Sequence, residues 1–173
     1  MQTGTTTTRL TEQILAEVEQ EAATTKRLLE IIPEDKLDWR PHPKAKSLGE
    51  LAMHVACSQG MVAECGDRNE MASTDFRPEP TPANRGEILD AFAESLSKVK
   101  EIVGATSDEK ALAEWRLVHN GATMLTMPRM GVWRTVMCNH IYHHRGQLST
   151  YLRQLDVPLP SIYGPSADEN PFA

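Results

Sequence analysis

Residues 133–155, WRTVMCNHIYHHRGQLSTYLRQL, hold three of the chain's six histidines, at His140, His143 and His144. The run has no proline and a single glycine, Gly146, so its composition predicts one long helix. At helical pitch, Trp133, Met137, His140, His144, Leu148, Tyr151 and Leu155 follow at steps of three or four and form one stripe. Such a stripe normally packs as apolar core. Two histidines stand in it where leucines are expected, and a step of four leaves their imidazoles about 40° apart on one face. A pair placed in this way can hold one metal ion.

Upstream lie three more amphipathic stretches. Leu10, Ile14, Val18, Ala22, Thr25, Leu28 and Ile32 recur at helical spacing with Thr25 as the one polar member, and Glu17, Glu19, Gln20 and Glu21 are expected outside. The preceding MQTGTTTT is polar and expected to fray, with Thr8 or Thr11 as candidate cap. Pro33 ends this first helix, and Pro41 and Pro43 keep the following connection irregular, with Trp39 large enough to plug a bundle end. Ser47 and Glu50 form a capping box, opening a second helix whose stripe is Leu51, His54, Ser58, Met61 and Cys65. Cys65-Gly66 closes it. A long proline-bearing connection follows, which lets the second and third helices run parallel instead of forming a hairpin. The third helix spans about Arg85–Val103, with Ile88, Leu89, Phe92, Leu96, Val99 and Val103 inward and Gly104 as expected C-cap. After one further turn at Ser107–Leu112, two short extended pieces flank an Asn120-Gly121 turn, and Pro128 opens the last helix. Residues 156–173, rich in proline and small side chains, are expected to be an irregular tail lying on the bundle.

Composition narrows the possible functions. A chain of 173 residues is most simply one domain, 1–173, able to bury a sizeable core. A net charge of −6 and a sequence pI near 5.5 speak against a general nucleic-acid binder. The apolar runs are too short to cross a bilayer, so no membrane partner is expected. Cys57, Cys65 and Cys138 form a sparse, odd set, and the N-terminus carries no cationic, apolar leader, so a cytoplasmic protein with reduced thiols is expected. A glycine-rich phosphate loop, a GxSxG turn, a CxxC pair and internal repeats are all missing from the sequence.

Four amphipathic helices bury their stripes only by facing one another, which points His54, His140 and His144 into one interior. One buried histidine is ordinarily a hydrogen-bonded core residue. Three together, with no carboxylate among them, crowd donors and acceptors that a divalent metal would satisfy while keeping positions open. His143 competes with His144, since a step of three from His140 also brings rings together; His144 is preferred because it continues the stripe. Cys138 points away from His140, whereas Cys57, one turn from His54, is a candidate fourth ligand. Gln147 and Tyr151 are placed to orient a ligand or simply to pack. Arg145 falls off the seam toward a carboxylate, a carbonyl or a partner subunit, and Gly146 is expected to permit close helix approach.

The segment HIYHHRGQLSTYLRQLDVPLPSIYGPS, preceded by WRPHP and SLGELAMH, resembles the DinB-like family with its YfiT-type members, in which HxxxHRGQ is followed by YLR and a proline-bearing tail. The resemblance implies an all-α four-helix bundle with a long crossover between helices 2 and 3, often a homodimer. It also implies a divalent metal on three histidines, which match His54, His140 and His144. Family members with known activity use the metal to activate a low-molecular-weight thiol or a water. The expected function is therefore a metal-dependent thiol S-transferase or hydrolase acting on a small-molecule substrate. The alternatives are a non-catalytic metal or small-ligand bundle in stress response and a purely structural bundle. All-imidazole sites accept zinc, nickel, copper and iron, of which zinc and nickel are the leading expectations.

Overall fold

The structure is a computed structural model that describes residues 9–173; residues 1–8, with the candidate cap Thr8, lie outside the described residues. Helices α1 (Leu10–Glu30), α2 (Leu48–Asp67) and α3 (Arg85–Ala105) precede a short α4 (Asp108–Leu112). The last helix is three joined pieces: α5 (Arg129–Gly131), a π-helical stretch Val132–Cys138, and α6 (Asn139–Gln154). One uninterrupted α-helix was expected from Trp133, and this is corrected. Asn139 N–H donates to the Arg134 carbonyl five residues back. Thr135 Oγ1 donates to the Gly131 carbonyl at 2.6 Å, a local bond that loosens the ordinary ladder.

Contacts between helices set their directions. Gly60 N–H donates to Ser95 Oγ at 2.7 Å and Glu64 pairs with Lys98, so residue numbers rise together and α2 runs parallel to α3. Tyr142 meets Glu17 and Arg145 meets Glu21, so α6 runs parallel to α1. Between these pairs the direction reverses, because Thr11 reaches the Thr106 carbonyl while His54 faces His140 and Gly66 faces Trp133. The arrangement is the four-helix bundle with a crossover between helices 2 and 3 that the sequence led us to expect.

The termini explain where each helix stops. Arg9 caps α1, its backbone N–H donating to Glu12, and Asp108 accepts from Leu10 N–H at 2.9 Å. Thr11, the other expected cap, is instead buried inside the first turn. Ser47 and Glu50 form the expected capping box, and Arg40 grips Glu50 through two nitrogens at 2.8 and 2.9 Å. Gly104 lies within α3, which caps at Thr106. At the other end of α2, buried Arg129 donates to the carbonyls of Gly66, Arg68 and Lys110, the negative ends of two helices standing in for a counter-ion.

A small sheet joins the bundle: β1 (Glu70–Ala72) lies parallel to β2 (Glu114–His119), which pairs antiparallel with β3 (Ala122–Pro128). Asn120 and Gly121 both adopt positive φ, 49° and 78°, as a two-residue hairpin turn requires. Trp115 Nε1 donates to the Cys65 carbonyl at 3.0 Å and anchors the hairpin beside the end of α2. The tail crosses α1 and α6, with Glu169 on Arg27, Asp168 on Arg153, and Leu159 and Ile162 against the core. No helix among the described residues is long and apolar enough to cross a membrane.

The glycine of closest approach is Gly66, where an added Cβ would lie 2.3 Å from Trp133 Nε1. At Gly146 an added Cβ meets nothing within 4 Å, which corrects the expected close approach there. Gly66→Ala should therefore lose about 1–3 kcal/mol through overpacking. Gly146→Ala should hold stability or gain up to about 1 kcal/mol. Urea midpoints of the two variants would check both, and equal effects would show the packing to be misread.

Candidate metal centre

His54 sits in the second turn of α2, and His140 and His144 lie at the start of α6, on helices that run in opposite directions. Their ligating ring atoms all fall within 4.8 Å of one another. The ring centroids are 5.0 Å apart for His54 and His140, 4.5 Å for His54 and His144, and 4.3 Å for His140 and His144. The structure thus brings together the three histidines singled out by the stripes. All three rings are half-buried, while His143 is exposed.

Two of the three rings have their far edge held. Glu79 Oε1 lies 2.6 Å from His54 Nδ1, and Gln147 Oε1 lies 2.9 Å from His144 Nδ1. Burial pushes the Glu79 carboxyl up, but the His54 hydrogen bond and smaller contributions bring it below the usual carboxylate range. An ionised oxygen demands a donor, which assigns the proton of His54 to Nδ1 and leaves Nε2 with a lone pair. His54 Nε2 stands 2.8 Å from His140 Nε2, a hydrogen bond in which His140 is then the donor. Three imidazoles ligating through bonds of 2.0–2.1 Å would place their nitrogens about 3.3 Å apart in a tetrahedral site. Ligation through all three Nε2 atoms therefore needs small ring movements and a shift of the His140 proton from Nε2 to Nδ1, while the held Nδ1 atoms already turn the Nε2 atoms of His54 and His144 inward.

The electrostatics favour neutral rings at His140 and His144. Burial first, then the neighbouring imidazoles of His144, His54 and His143, bring His140 down to about 4. His144 is lowered as well, burial outweighing its bond to Gln147. Neutral imidazole is the form that ligates a metal.

The remaining candidates fall outside the cluster. Cys57, the candidate fourth ligand, directs its thiol to Met53 Sδ at 3.5 Å, and burial raises its pKa. Cys138 is packed in the core, its thiol pushed up to about 11 mainly by burial. Tyr151 packs edge-on against Trp39, ring centroids 5.6 Å apart, and Gln147 takes the orienting role. Arg145 is buried, with Nη2 2.5 Å from Glu21 and donating to Tyr163 Oη, and Nη1 on the Glu21 carbonyl and Thr25 Oγ1. Glu17 and Glu21, expected outside, instead receive Tyr142 and Arg145 on the face of α1 that meets α6. Glu79 was missed, since nothing in a loop's spacing marks one glutamate as turned inward.

Comparison with known proteins bears on this arrangement. The sequence matches the DinB family over residues 1–170. It is 26% identical to the uncharacterized protein YrdA of Bacillus subtilis strain 168, over 91% of this chain and 90% of that one. A DinB-like protein from Bacillus cereus ATCC 10987 superposes with a TM-score of 0.69 at 20% identity, covering 88% of this chain and 97% of that structure. YfiT from Bacillus subtilis, described as a probable metal-dependent hydrolase with an unusual four-helix bundle topology, superposes with a TM-score of 0.60 at 13% identity, covering 85% and 88%. The latter two share the fold. With nearly its whole length matched and its bundle shared, this chain belongs to the DinB family.

Proposed function

We propose that the protein is a metal-dependent enzyme that holds one divalent ion on the Nε2 atoms of His54, His140 and His144. The observation that carries this reading is the convergence of three imidazoles from two helices, with no fourth His, Cys, Asp or Glu donor joining them among the described residues. A divalent ion with three protein ligands supplies a Lewis acid and an open position for water or a thiol. The chain's own residues supply the rest. Gln147 and Glu79 hold two ring orientations, and the buried face of α6 keeps the cluster beside apolar packing. The reaction class is hydrolysis of a small-molecule substrate or transfer of a low-molecular-weight thiol. The description of YfiT as a probable metal-dependent hydrolase supports the first. Zinc and nickel remain the leading metals for an all-nitrogen donor set.

Elemental analysis of protein purified without a histidine tag should find about one divalent ion per chain. His144→Ala should abolish its retention and His143→Ala should keep most of it; the opposite pattern would exchange the two residues. Hydrolytic and thiol-conjugation substrate panels on the metal-loaded protein then separate the two reaction classes, and turnover of neither would remove the enzyme reading.

The metal-free protein should also show a pH signature. The folded state keeps His140 neutral down to about 4, whereas the unfolded chain protonates it near 6.5. Unfolded protein thus binds more protons between these values, so stability is full above about pH 6.5 and falls as the pH drops toward 4. His144 acts in the same direction. Urea midpoints measured across this window would detect it, and His140→Gln should flatten the slope.

A further inference from the structure

We infer that Glu79 is a positioning residue for the metal centre, and that through it the crossover segment between α2 and α3 is fastened to the site. This inference rests on the metal reading above.

Glu79 lies in the sequence FRPEPTPAN, between Pro78 and Pro80, and its side chain is largely buried although its loop neighbours Pro78 and Pro80 are exposed. One carboxylate oxygen lies 2.6 Å from His54 Nδ1, and the other stands 3.9 Å from Lys46 Nζ. The partner atom on His54 is the nitrogen facing away from the cluster, since Nε2 is the atom 2.8 Å from His140. Glu79 is therefore not a ligand: it grips the opposite edge of the ligand. A carboxylate in that place selects the tautomer with the proton on Nδ1, fixes the ring plane and raises the basicity of Nε2. The flanking prolines restrict the backbone on both sides, so the carboxylate is delivered from a stiffened stretch. His144 receives the corresponding support from Gln147, three residues along the same helix. His54 receives its support from a segment 25 residues away. Metal ligation at Nε2 demands a proton on Nδ1 and so strengthens the bond to Glu79, which ties the order of the loop to the occupancy of the site.

The test uses the full chain and zinc ion alone. Zinc affinity is measured by competition with a chromophoric chelator, and backbone hydrogen exchange of residues 76–83 is followed with and without zinc. Glu79→Ala should weaken zinc binding by about 10–100-fold. Glu79→Gln, which keeps an acceptor oxygen without the charge, should fall between wild type and alanine. Zinc should slow exchange across 76–83 in wild type and fail to do so in the alanine variant. Alanine within twofold of wild type, or loop exchange indifferent to zinc in wild type, would overturn the inference. Should the alanine protein fail to fold, wild-type affinity in the glutamine variant would overturn it equally. Wild-type protein that binds no zinc in this titration and no nickel in a parallel one would instead remove the metal reading, so the two failures are distinguishable.

Discussion

The rotation of α6 about its own axis is the constraint on which the site depends, and a buried ion pair sets it. Arg145 is almost wholly enclosed and pairs with Glu21 on α1. A guanidinium left in the interior without that partner would destabilise the fold by about 3–5 kcal/mol. Helix α6 therefore has one acceptable orientation, with Arg145 toward α1. Residue 144 lies about 100° around the helix from residue 145. His144, and His140 one turn earlier, are thus turned toward α2 at the place where His54 emerges. Thr25, the polar interruption in the stripe of α1, belongs to the same device: it accepts from Arg145 and donates to the Glu21 carbonyl.

Gly66 and the π-helical stretch act on the other end of the same contact. The absence of a side chain on Gly66 lets Trp133 lie flush against α2, while Val132, Trp133, Met137 and Cys138 are all buried. An α-helix does not readily bury adjacent pairs such as 132/133 and 137/138 on one narrow stripe, whereas the wider π turn brings them to a common face. The extra residue is absorbed before Asn139, so regular α geometry is restored in time for the four-residue spacing of His140 and His144.

These features differ in how far the sequence reveals them. The histidine stripes were legible because a period of 3.6 residues is a local property, and local periodicity survives folding wherever one face is buried. The four long helices were legible for the same reason, whereas the Asn120-Gly121 hairpin, in a stretch without a clear period, was legible from its turn dipeptide. Local reasoning failed at Gly146 because a helical glycine looks the same whether it admits a neighbouring helix or faces open space; only the position of the second helix separates the cases. Glu17 and Glu21 were placed outside on charge, yet their partners Tyr142 and Arg145 lie more than a hundred residues away and no local pattern announces them. The π stretch is not legible from the stripe because Trp133 and Met137 are buried under either geometry; only the burial of Val132 and Cys138 beside them separates the two.

Glu79 belongs to a third kind, where topology makes a meeting unavoidable without naming the residue that meets. Parallel α2 and α3 require the chain to return from the end of α2 to its beginning, and Pro82 packs near Gly49 at that beginning. The return covers about 30 Å, the length of a 20-residue helix. The stretch 68–84 can reach well beyond that, about 55 Å when extended, so it has slack enough to pair β1 with β2 on the way. A short hairpin between α2 and α3 would have turned back at the far end and never passed His54. The crossover must run the length of α2 and so pass the first histidine, and a carboxylate at the right point of that path reaches the imidazole edge left free by the cluster.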